Sequence, residues 1–143
     1  MNSRHKARET ALQILYNVDI SQCPPAEALG AQLDAMRGAG AARRYCEALV
    51  NGVLAERRAI DAVINESSDN WTIDRMPLVD RNILRIAVYE FMHLTDVPFK
   101  VVIDEAVELA KRYGSEESGA FVNGILDKAR KCSHPGGAAA HGA

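Results

Sequence analysis

Cysteine is scarce in this chain: Cys23, Cys46 and Cys132 stand far apart and no two form a C-x-x-C pair. His134, near Cys132, has no further ligand close by. Such spacing argues against both a disulfide framework and a zinc site, so no metal is expected. Unpaired thiols suit a reducing, cytoplasmic compartment. Long apolar runs are missing too. No stretch approaches the ~20 residues of a membrane span. Glu9, Gln13, Asn17 and Asp19 break the opening segment, unlike the core of a signal peptide. Period-two alternation of convincing length is absent; Val101-Val102-Ile103 is the one β-branched run, and it lies inside a helical period.

The usual marks of catalysis are missing as well. There is no Gly-rich phosphate loop, no G-x-S-x-G and no H-E-x-x-H. Of four histidines, His5 lies in a basic start and His134 and His141 in a polar end. His93 reads as a cation at a helix C-terminus, where the dipole favours it. The acid pairs Asp104-Glu105 and Glu116-Glu117 are adjacent, so on a helix they point about 100° apart and cannot flank one bond. These absences favour a binding protein over an enzyme, with no cofactor.

What is present is a helical pattern almost throughout. Ala7, Ala11, Ile14, Leu15 and Val18 predict a first helix over about 4–20, stopped by Cys23-Pro24-Pro25. A second is expected over about 25–37. A third, through Tyr45, Leu49, Gly52 and Val53, continues with a bend into a fourth ending near Asn65. Pro77 fits the first turn of a fifth, which runs to about Leu94 and is apolar around most of its circumference; such a helix is central and buried. Pro98 opens a sixth that ends at Tyr113, with Gly114 as its C′ residue and a Glu108–Arg112 pair on its solvent side. Ser115 is the expected N-cap of a seventh helix running to about Lys131. Residues 132–143 have nothing to bury and read as a disordered tail. The expectation is an all-α bundle of about seven helices, with residues 1–131 as one domain.

Acids number 19 and Lys plus Arg 17, a net charge of −2, which speaks against nucleic-acid binding by bulk charge. The average conceals a local excess. Residues 1–8 carry Arg4, Lys6 and Arg8 and no acid, so the rest of the chain stands at −5. Cations at a helix N-terminus face the positive end of its dipole. The cluster therefore reads either as a grip for phosphates or as a solvated terminus. Other positions also carry two readings. Tyr16 is a core tyrosine or a partner-facing ring. Phe121 is a displaced core residue or a platform for a base. Gly119 and Gly124, inside a helix, allow close approach of a neighbour or a ligand. Asp80, Arg81 and Arg85 form a satisfied ion-pair network or a contact site.

Four blocks of residues, in order, resemble the NusB family of bacterial antitermination factors. They are Arg4 to Tyr16; Trp71 with Arg75 and Asp80 to Glu90; Val97-Pro98 with Asp104 to Lys111; and Ser118 to Asp127. The resemblance spans about residues 4–131. It implies an all-helical fold of two small subdomains and a non-enzymatic role. It implies pairing with NusE, a protein of the small ribosomal subunit, and binding of boxA RNA in ribosomal RNA leaders. NusA, NusG and RNA polymerase complete the complex, and no membrane is involved. By the same resemblance Arg4, His5, Lys6 and Arg8 meet RNA, as do Glu117, Ala120 and Phe121. His5 stands where a stronger base is common, and Ala120 where Lys can stand, which leaves that phosphate contact open. Tyr16 and Asp80 map to the protein-partner surface. A homodimer is also possible. The rival readings are a protein–protein adapter without RNA binding and an accessory domain of an rRNA methyltransferase, though no Gly-rich α/β segment follows.

Overall fold

The structure is a computed structural model that describes residues 3–21, 24–36, 40–69 and 71–133. Cys23, His134 and His141 lie outside the described residues, as does the expected tail from 134 onward. Seven α-helices are present among the described residues: α1 (Ser3–Ser21), α2 (Pro25–Ala35), α3 (Gly40–Ala55), α4 (Arg57–Ser67), α5 (Leu78–His93), α6 (Phe99–Tyr113) and α7 (Ser118–Ser133). A single 3-10 turn, Ile73–Arg75, sits in the link before α5. The expected helix count holds.

Proline sets several of the starts. Pro24 occupies the N-cap of α2 with Pro25 in its first turn, and Pro77 and Pro98 each occupy the N-cap, one residue earlier than first-turn placement would give. Their carbonyls open the helices; Arg81 donates to Pro77 at 2.9 Å and Val102 to Pro98 at 3.1 Å. The expected bend between α3 and α4 falls on Glu56, whose backbone still bonds to both Gly52 and Ile60.

Helix α5 is the axis. Ile83, Leu84, Ile86, Ala87, Val88 and Phe91 are all buried. The helix packs against α1, α3, α4, α6 and α7, and α1 packs most on α3 while α7 packs on α4 and α6. The molecule thus has two small lobes, α1–α3 and α4–α7, which share one helix as core. A polar clamp reinforces the join. Arg85 forks onto Asp61 at 2.9 and 3.1 Å and reaches Asp19 of α1 at 3.2 Å, while Asn82 donates to Asp19 at 2.9 Å. The ion-pair reading of Arg85 is therefore correct. Arg81 stays outside this network, and its buried Nε has no partner.

The α6–α7 corner departs from expectation. Gly114 is extended, with φ −96° and ψ −162°, not left-handed. Its value is steric, because a Cβ there would overlap the Ser118 side chain and approach the Ala110 carbonyl to 2.8 Å. Ser115 is not the N-cap, since α7 begins at Ser118. The capping bond runs the other way, from the Ser115 N–H to Ser118 Oγ at 2.9 Å. Arg112 also leaves its expected partner. It pairs with Glu9 across the interface at 3.0 Å, not with Glu108 on its own helix, because α1 brings a half-buried carboxylate within reach.

Candidate nucleic-acid interface

Helix α1 begins at Ser3, so the basic cluster is helical from Arg4 onward. At 3.6 residues per turn, Arg4 and Arg8 share a face and Lys6 lies about 200° away. The structure divides the cations accordingly. Arg8 is only 2% exposed. Its Nε and Nη2 fork onto Glu90 at 2.9 and 2.8 Å, and its Nη1 lies 3.4 Å from Glu105. Burial works against its charge, but the bond and charge of Glu90, with Tyr45 and Glu105, outweigh it and raise the pKa. Tyr45 donates to the same Glu90 at 2.7 Å, and burial beside that carboxylate lifts the phenol pKa well above its usual value. Arg4 is exposed, lies over the Tyr45 ring at 4.9 Å and reaches Asp96 at 3.4 Å. His5 bonds Glu105 at 2.8 Å, with Glu9 at 3.7 Å.

Lys6 turns to the opposite side and lines a groove of about 340 Å³ with Glu9, Gln13, Tyr16, Val79 and Tyr113. Among the described residues no carboxylate pairs with it. Tyr113 is 47% exposed and donates to Glu9 at 3.0 Å, which ties the end of α6 to α1. The groove continues past Tyr16 and Tyr113 over Pro77, Asp80 and Ser118. It ends in a cleft of about 220 Å³ bounded by Trp71, Pro77, Asp80, Glu117 and Phe121.

One face therefore carries Lys6, Tyr16, Asp80, Glu117 and Phe121. Helix α1 packs on α2, α3 and α5, and α7 on α4, α5 and α6. The two expected RNA sites are thus joined by a groove over the start of α5, not by a shared helix pair. Asp80 is 4% exposed and accepts from Ser118 Oγ at 2.7 Å, so it holds the start of α7. Phe121 is half-buried: it packs against the core and also lines the cleft. Ala120 faces away, into the α6–α7 groove with Lys111 and Gly119. Gly119 does allow close approach, since a Cβ there would come within 3.3 Å of Lys111 Cγ. No neighbour comes within 4 Å of a Cβ built at Gly124, which faces open space.

Trp71 is the residue whose place on this face the sequence reading missed. Its signal was available: a lone tryptophan between a polar turn and Pro77, outside any helical stripe. Among the described residues no helix is long and apolar enough to cross a membrane. No His, Cys, Asp and Glu side chains there group to hold a metal ion.

Two helical lobes around a shared axis, with charged and aromatic side chains along open grooves, define a helical recognition domain. Residues 5–131 match the family model described as "NusB family", and the chain belongs to that family. It is 48% identical over 132 residues to the transcription antitermination protein NusB of Trichlorobacter lovleyi, covering 92% of this chain and 93% of that one. Its fold superposes on T. maritima NusB with a TM-score of 0.87 at 35% identity, over 93% and 94% of the two chains. A second solved structure, antitermination factors NusB and NusE in complex with double-stranded RNA, gives a TM-score of 0.84 at 32% identity, over 92% and 98%.

Proposed function

We propose that the protein is a cytoplasmic transcription antitermination factor. It binds boxA RNA of ribosomal RNA leaders together with NusE, and the pair joins NusA, NusG and RNA polymerase. The observation that carries this reading is the continuous face from Lys6 to Phe121, on a fold shared with the NusB solved with NusE and RNA.

The cations of α1 divide the work. Lys6, with no carboxylate partner, is the phosphate contact, and Arg4, on the opposite face over the Tyr45 ring, adds positive charge to the helix start. Arg8 and His5 position the helix through Glu90 and Glu105. Glu117, just before α7, and Phe121 on it present the far end of the RNA path, while Ala120 faces the separate α6–α7 groove and lies off that path. Tyr16 offers its half-buried ring to NusE, while Asp80 supports that surface by anchoring Ser118. With Lys6 the one cation of the α1 start that no described carboxylate pairs with, on a mildly acidic body, the protein binds RNA weakly alone and depends on the partner for affinity.

A gel-shift with boxA RNA, with and without NusE, tests the reading. The expected result is a supershift and a gain in affinity when NusE is added; no shift with both present overturns it. Lys6→Ala is expected to weaken binding and to reduce the salt slope by about 0.7–0.9, one phosphate's worth, while leaving the melt unchanged. Sizing chromatography separates the monomer from a homodimer that covers this face.

A further inference from the structure

The cleft at the foot of α7 differs from the rest of the face in its chemistry. No Lys or Arg lines it; its charged groups are Asp80 and Glu117. Trp71, the chain's one tryptophan, is 50% exposed at its edge. An indole left in water forgoes the free energy that burial would return. The ring nevertheless has a fixed base. The backbone N–H of Trp71 donates to Ser68 Oγ at 3.2 Å, and that of Ile73 donates to Asn65 Oδ1 at 2.7 Å, tying the link to the end of α4. Phe121 reaches the same cleft from α7.

We propose that Trp71 and Phe121 are the walls of a slot for one unpaired nucleobase. The proposal rests on the RNA-binding reading above and specifies how that face takes hold of a single strand. Charge decides which part of a nucleotide enters. A phosphate would meet two carboxylates and no cation, so the backbone is turned away toward Lys6. The base is uncharged and offers a π-face to each ring, and such stacking tolerates any sequence. The Glu117 carboxylate, which pairs with no side chain among the described residues, accepts from amino protons on the base edge. A Lys or Arg side chain of a protein partner also suits acidic, aromatic surroundings. Continuity with the groove that carries Lys6 favours the base.

Because Trp71 is the only indole in the chain, its emission reports on the slot directly. The full chain, alone and with NusE, is titrated with a labelled single-stranded boxA oligonucleotide. Anisotropy follows the RNA, and a Trp71→Phe complex supplies the background emission. The slot predicts that Trp71 emission is quenched in step with RNA binding. It also predicts that Trp71→Ala weakens binding about tenfold with an unchanged helical melt, and that Trp71→Phe retains most of the affinity. RNA binding with wild-type affinity in Trp71→Ala, and with silent Trp71 emission, overturns the slot and leaves the RNA reading standing. Absence of RNA binding even with NusE overturns both. Emission that responds to NusE but not to RNA assigns the cleft to a protein side chain and also overturns the slot. If Trp71→Ala fails to fold, the quenching and the Trp71→Phe affinity still decide.

Discussion

At the scale of single residues, Arg8 shows how burial redirects a charge. A guanidinium 2% exposed and forked onto Glu90 is a structural anchor. Arg8→Ala would strand Glu90 in the interior, and breaking a buried pair in this way costs about 3–5 kcal/mol. Urea unfolding is expected to show a loss of that size, with little recovery in Arg8→Lys, because an ammonium cannot fork onto a carboxylate. Asp80 makes a prediction of the other kind. Burial lifts its pKa above the ordinary 3.8, and the Ser118 hydrogen bond offsets this only in part. Since the folded-state value is the higher one, protonation favours the fold. That contribution is complete below pH 3.8 and is lost as pH rises through the folded-state pKa. Asp80→Asn keeps an acceptor for Ser118 and carries no charge. Its stability relative to the wild type is expected to grow as pH rises from below 3.8 toward neutrality. A difference that shrinks over that range would contradict the assignment. The sequence disclosed these charges but not their partners, because Glu90 lies 82 positions from Arg8 and Ser118 lies 38 from Asp80.

At the scale of elements, helix periodicity was the most legible feature. The apolar stripes located all seven helices, and the nearly all-apolar stretch before Leu94 became the central helix α5. Boundaries were less legible where a long-range contact sets them. The start of α7 depends on Ser118 bonding to Asp80 of α5, which no local cap signal at Ser115 reveals. Glycines make the same point. Gly52 falls on the buried stripe of α3, but the reason for a glycine is the Tyr89 ring of α5, which a Cβ would overlap. Gly52→Ala is therefore expected to destabilise by about 1–3 kcal/mol through overpacking. Gly124→Ala should do the opposite, because its Cβ would meet nothing within 4 Å. There the gain is about 1 kcal/mol of helix propensity. Denaturant midpoints of the two variants should move in opposite directions.

At the scale of the whole molecule, the two lobes have no separate cores, since α5 belongs to both. The Asp19–Arg85–Asp61 clamp ties α1, α5 and α4 together as well. Unfolding is therefore expected to be one cooperative step. Far-ultraviolet circular dichroism and Trp71 emission should give coincident thermal transitions, and separated midpoints would show that the lobes melt independently.

The sequence by itself determined the helices, the central position of α5, the family, and the presence of a basic start on an acidic body. All of these rest on local spacing, or on motifs read in order along the chain. Only the tertiary structure decided which of those cations pair with a carboxylate. Helical phase turned Arg8 inward and Lys6 outward, and carboxylates from α5 and α6 claimed Arg8 and His5. It also brought Trp71 and Phe121, fifty positions apart, to one cleft. The physical reason is common to both outcomes: helix formation is governed by neighbours within about one turn, whereas charge neutralisation and cleft formation depend on residues that meet only when the helices pack.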